Sequence, residues 1–166
     1  CAYRLAFGQD GDRTVLFYGA DEGAVGAYDP AGRRMLWQRP TGGFPFDLKT
    51  ADLDGDGRSE VYAACADGAL YAFDSDGELR WKFHPDRTPL YAVLIDGDRI
   101  LTGGVGRRLH VLGRDGTPRQ TGEQDAMINF LARAGERVLA FPHGARARAW
   151  EFGQRAHLLL RRSQAG

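Results

Sequence analysis

A chain of 166 residues, 43% apolar and 27% charged, is long enough to bury one sizeable core and too apolar to be disordered. Its formal charge of zero excludes a global field aimed at nucleic acid or a membrane surface, although residues 1–83 carry 9 basic and 14 acidic side chains and residues 84–166 carry 13 and 8. No run approaches the roughly 18 apolar residues of a membrane helix, and two cysteines exclude a disulfide framework or a CxxC metal pair.

From the N-terminus, short runs rich in Val, Leu, Tyr and Phe alternate with Asp-Gly dipeptides, which supply the positive φ that tight hairpins need. The pattern predicts strands near 2–8, 14–19, 24–29 and 34–39, then 45–51, 60–66, 69–74 and 79–83. A third set falls near 90–95, 98–104, 107–112 and 117–121, and a fourth near 126–133, 137–142, 146–151 and 156–162. AMINFLARAGERV comes nearest to helical spacing, but Gly135 and its alignment with the other quarters predict strand, turn, strand.

The four sets repeat. Turn glycines Gly23, Gly68, Gly106 and Gly144 keep nearly the same period as Gly32, Gly77, Gly116 and Gly153. Four-stranded antiparallel units at about forty residues are the signature of propeller blades. The expected fold is therefore all-β, a propeller of four blades over 1–41, 42–86, 87–122 and 123–166. It either closes on itself or forms part of a larger ring, because an open row leaves edges unpaired. A homodimer and a longer chain are both compatible with that requirement.

DLDGDGRSEVYAACADGALYAFDSDGELRW resembles an FG-GAP (integrin-like) repeat fused in register to a PQQ-like propeller repeat. The likeness weakens in the last two quarters, where Trp37 and Trp81 have no counterpart near Arg119 or Leu158. The resemblance implies a calcium loop at DLDGDGRSE and an extracytoplasmic setting. Spacing points the same way. With Asp52 at position 1, Asp54 and Asp56 stand at 3 and 5, the carbonyl of Arg58 at 7 and Glu60 at 9, with Gly57 at the sharp sixth position. The other quarters close the same hairpin with QDGDR, IDGDR and RAGER, which are ordinary turns. The predicted metal ligands are thus Asp52, Asp54, Asp56, Arg58 and Glu60, and the cofactor is calcium.

His84, His110, His143 and His157 are scattered without metal spacing, and Ser59, Ser75 and Ser163 lack a nucleophile-elbow context. GGVGRR precedes a strand rather than a helix, so it reads as a hairpin and not a phosphate loop. The arginines of RARAWEFGQRAHLLLRR alternate as on a solvated strand, which argues against a nucleic-acid partner. Cys65 reads as a buried inert thiol; Cys1 fits either a lipid-anchored N-terminus or an arbitrary boundary. Phe44, Phe46 and Tyr91 at blade entrances read as core packing or as a binding rim. With no catalytic constellation, the expectation is a non-enzymatic, calcium-stabilised binding module that meets a protein or carbohydrate partner through its rim. The alternatives are part of a propeller enzyme, quinone-dependent or polysaccharide-acting, and a metal-dependent adhesion module.

Overall fold

The computed structural model describes residues 1–142, 147–152 and 158–160, with side chains through 1–142 and 147–150. His143, His157, Gly144 and Gly153 lie outside the described residues.

Four antiparallel sheets of four strands follow one another along the chain, each in simple meander order. The first holds β1 (Ala2–Asp10), β2 (Arg13–Ala20), β3 (Ala24–Asp29) and β4 (Arg34–Pro40). The second holds β5 (Pro45–Ala51), β6 (Glu60–Cys65), β7 (Leu70–Phe73) and β8 (Leu79–Phe83). The third holds β9 (Leu90–Asp96), β10 (Arg99–Gly104), β11 (Arg108–Gly113) and β12 (Pro118–Glu123). The fourth holds β13 (Ile128–Ala134), β14 (Arg137–Pro142), β15 (Arg148–Phe152) and β16 (Leu158–Leu160). The four-bladed all-β expectation stands, including strand, turn, strand across Gly135.

The core lies between blades. Successive strand side chains point to opposite faces, so an inner blade sends alternate residues to two neighbours. In β6, Val61, Ala63 and Cys65 join Phe17, Val25 and Trp37 of the first blade, whereas Tyr62 and Ala64 join Val93, Ile100 and Leu112 of the third. Every residue of β6 is consequently buried. The third interface packs Leu101, Leu109 and Val111 against Ile128, Val138 and Trp150.

Two tryptophans lock successive blades. Trp37 Nε1 donates to the Ser75 carbonyl at 2.7 Å, and Trp81 Nε1 donates to the Arg114 carbonyl at 3.0 Å. Each indole covers a turn glycine of the next blade: a Cβ on Gly77 would stand 2.5 Å from Trp37, and one on Gly116 would stand 2.5 Å from Trp81. The residue equivalent to both tryptophans in the third blade is Gln120, since Val111 pairs with Gln120 as Ala27 pairs with Trp37 and Ala72 with Trp81.

The glycine series needs two corrections. Gly77 and Gly116 adopt φ of +81° and +78°, but in the first blade the left-handed residue four positions before the tryptophan is Arg33 at +53°. In the third blade's GGVGRR hairpin it is Arg107, at +56°, rather than Gly106. Both turns place the arginine one residue past the glycine, so glycine spacing marks the turn without marking the strained position.

Candidate metal centre

The second blade differs from the others at its first hairpin. Gly11-Asp12, Gly97-Asp98 and Gly135-Glu136 are tight links between the paired residues Asp10/Arg13, Asp96/Arg99 and Ala134/Arg137. Between the paired Ala51 and Glu60, by contrast, the chain makes a long excursion through residues 52–59.

Backbone donors organise that excursion around its own acids. Asp52 accepts from the Gly55 amide at 2.6 Å through Oδ1 and from the Gly57 amide at 2.9 Å through Oδ2. Asp54 Oδ1 accepts from the Asp56 amide at 3.3 Å, and Asp56 Oδ1 from the Arg58 amide at 2.8 Å. Gly55 and Gly57, at φ +81° and +83°, supply the left-handed steps that let the loop curl. Glu60, on the buried side of β6, closes the ring: its Oε2 accepts from the Leu53 amide at 2.9 Å and from the Tyr62 hydroxyl at 3.3 Å.

The result is one donor oxygen from each of Asp52, Asp54, Asp56 and Glu60, all within 4.8 Å of one another. Ligands on opposite sides of a calcium ion at roughly 2.3 to 2.6 Å stand about 5 Å apart, so the spread suits one hard cation. Burial pushes the Glu60 carboxyl above its ordinary range, and the Asp54 and Asp52 charges add to this. A cation among these oxygens would offset that cost by favouring the ionised form.

Arg58 divides its roles. Its guanidinium turns away from the loop to Asp10 Oδ1 at 2.7 Å and Asp76 Oδ1 at 2.6 Å, pairings that raise its pKa. The Gly57 carbonyl and Ser59 amide both bond to the first blade, at Gly11 and Gln9. Arg58 itself bridges Asp10 of the first blade at that contact. Arg80 pairs with Asp54 Oδ2 at 2.7 Å. A cavity of about 380 Å³ opens beside the cluster, lined by Asp54, Glu60, Tyr62, Arg80, Trp81 and Arg114 among others.

Two features escaped the sequence. Tyr3, Phe44, Phe46 and Tyr91 form an edge-to-face ladder with centroid spacings of 5.0, 5.1 and 4.7 Å. It borders a cavity of about 570 Å³ to which Arg4, Lys49 and Asn129 also contribute. Phe44, Phe46 and Tyr91 were legible as entrance aromatics; Tyr3 was not, because only the packing of the first blade on the second brings β1 beside β5. The second is a polar knot in which Asp67 accepts from Tyr71 at 2.7 Å and from Lys82 at 3.2 Å, while Tyr71 accepts from the Gly42 amide at 2.7 Å. Burial alone would raise the Asp67 carboxyl, but the Tyr71 and Lys82 bonds outweigh it and hold it below its ordinary value.

The remaining candidates are structural. His84 Nε2 contacts the Asp67 carbonyl at 2.9 Å, and His110 is buried against Phe83 with Thr121 Oγ1 at 3.1 Å. Cys65 is buried, and burial pushes its thiol pKa up to about 12. Among the described residues no helix is long and apolar enough to cross a membrane.

Two curated relatives are both named lambda-carrageenase. The one from Pseudoalteromonas sp is 34% identical over 110 residues, covering 63% of this chain and 12% of the relative. The one from Pseudoalteromonas carrageenovora is 36% identical over 100 residues, covering 57% and 10%. The matched segment is thus about a tenth of those proteins. Among solved structures, the computationally designed Ika4 protein is similar at TM-score 0.79 and 14% identity, covering 92% of both chains. BamB from Moraxella catarrhalis is similar at 0.70 and 19%, covering 87% of this chain and 42% of its own. The designed Ika8 protein is similar at 0.73 and 14%, covering 96% of this chain and 50% of its own. The expectation of a non-enzymatic module is overturned by the curated relatives, which are named as an enzyme. The propeller implied by the FG-GAP and PQQ-like resemblance is retained, but the family whose model matches is a different one. Because that model, the lambda-carrageenase beta-propeller domain, matches residues 18–138, well over half of the chain, the protein belongs to that domain family.

Proposed function

We propose that this chain is the propeller domain of a polysaccharide-cleaving enzyme of the lambda-carrageenase type, working outside the cytoplasm. The observation that carries the reading is the segment shared with two proteins bearing that name. The site chemistry supports it at the axial cavity. Phe46 and Tyr91 offer apolar ring surface there, and Arg4, Lys49 and Asn129 offer donors, the combination that sugar rings with their hydroxyl and charged substituents require. In this reading the Asp52–Glu60 loop holds a calcium ion, which supplies positive charge that fixes the loop. The residues themselves orient it: Asp52 is locked by two amides, Glu60 by Leu53 and Tyr62, and Ser59 ties the loop to the first blade.

Affinity electrophoresis of the chain through gels containing lambda-carrageenan, with dextran as control, tests the polysaccharide reading alongside an assay of reducing ends released. Selective retardation is expected, weakened about tenfold or more by Tyr91→Ala combined with Phe46→Ala. Unretarded migration together with no released ends would sink it.

A further inference from the structure

We propose that Arg4 is the residue of the 570 Å³ cavity that selects a sugar by charge, its guanidinium taking an oxyanion substituent of the ligand, a sulfate ester or a carboxylate, as a two-pronged fork. The assignment rests on the polysaccharide-cleaving role proposed for the chain, and adds to it the residue that sets specificity.

Strand alternation decides which way Arg4 points. Arg4, Ala6 and Gly8 share one face of β1: Ala6 packs on the core shared with the second blade, and a Cβ on Gly8 would meet Ser59 of that blade. Tyr3, Leu5 and Phe7 fall on the other face and are exposed. Arg4 is thereby carried across the junction to β5, where its Nε donates to the Phe46 carbonyl at 2.5 Å. Its guanidinium carbon also stands 5.4 Å from the centre of the Tyr3 ring, within cation–π range. Both holds are on uncharged groups, so they fix the guanidinium without neutralising it. Among the described residues Arg4 has no carboxylate partner.

Lys49, the other cation of the cavity, is in a different state. Its Nζ pairs with Asp47 Oδ1 at 2.7 Å, and Asp47 Oδ2 is anchored by the Val93 amide of the third blade at 3.0 Å. The charged side chains lining the cavity are Arg4, Lys49 and Asp47, so one positive charge is left unmatched, and it belongs to Arg4.

That charge lies at the aromatic wall, where Phe46 and Tyr91 meet edge to face at 4.7 Å. A neutral sugar gains little from it, whereas a ligand bearing the opposite charge does. With Nε held by Phe46, the terminal nitrogens are the donors left over, and among the described residues they have no protein acceptor. Such a fork meets two oxygens of a sulfate ester or carboxylate in parallel, which the point charge of a lysine cannot do.

Affinity electrophoresis of the wild type, Arg4→Gln and Arg4→Lys tests the assignment in gels of lambda-carrageenan, of the same polymer after chemical desulfation, and of polygalacturonate. Wild-type retardation by the first marks a sulfate ester as the ligand group, and retardation by the last marks a carboxylate. In whichever anionic gel retards the wild type, Arg4→Gln should bind about tenfold more weakly, with Arg4→Lys between the two. Added salt should weaken the wild type more than Arg4→Gln. In the desulfated gel wild type and Arg4→Gln should run alike, with the same β circular-dichroism spectrum. An Arg4→Gln protein held by the anionic gel as strongly as the wild type overturns the assignment and leaves the polysaccharide reading standing. An equal loss in the anionic and desulfated gels also overturns it, by showing that Arg4 only supports Phe46. A wild type that no gel retards sinks both readings together.

Discussion

Gly77 shows how one residue holds two blades in register. It combines a left-handed backbone, φ +81°, with an indole where a side chain would begin, whereas Gly57 has a similar φ of +83° but open space around it. Strain alone costs roughly 1 to 2 kcal/mol for an L-residue in this region, and displacing a packed tryptophan adds to it. Gly77→Ala should therefore lose about 3 kcal/mol in urea unfolding and Gly57→Ala about 1 kcal/mol. Equal losses would show that Trp37 does not depend on the glycine. His110 gives a second test. Burial lowers its pKa, Asp86 opposing and Arg108 assisting, so the folded state binds the proton more weakly than the unfolded chain. Its contribution is full above the unfolded value of about 6.5 and is lost as pH falls through the lower folded value. His110→Gln should flatten the stability profile below about pH 6.5 in matched melts, and an unchanged slope would discount the residue.

At the scale of the element, the β5–β6 loop sets one hairpin apart from three. Its acids were readable as one cluster because of their alternate spacing, and the structure brings an oxygen of each of Asp52, Asp54, Asp56 and Glu60 together. The side-chain role of Arg58 was not readable, since Asp10 and Asp76 reach it from a neighbouring blade and a neighbouring turn. If the loop takes calcium, a hundredfold excess over Kd raises stability by about 2.7 kcal/mol. Asp54→Ala should abolish that calcium-dependent shift in calorimetry while leaving the protein folded. A wild-type melt unmoved by millimolar calcium or chelator would remove the ion from the reading.

For the whole molecule, the sixteen strands in four meanders among the described residues were legible because period-two alternation and Asp-Gly turns are local properties, written in neighbouring residues. The absence of a local catalytic motif, read as absence of enzymatic character, misled because relatives many times longer carry the enzyme's name and the segment shared with them is only about a tenth of their length. The sequence by itself determined the blades and the acidic loop. Only the tertiary structure decided which residues meet between blades, which of β1's two faces stays open, and that Arg33 occupies the turn position held elsewhere by glycine. The physical reason is range: strand alternation and turn geometry act over a few residues, whereas blade docking joins positions nearly forty apart, such as Trp37 and Ser75, through contacts that exist only once the arc has formed.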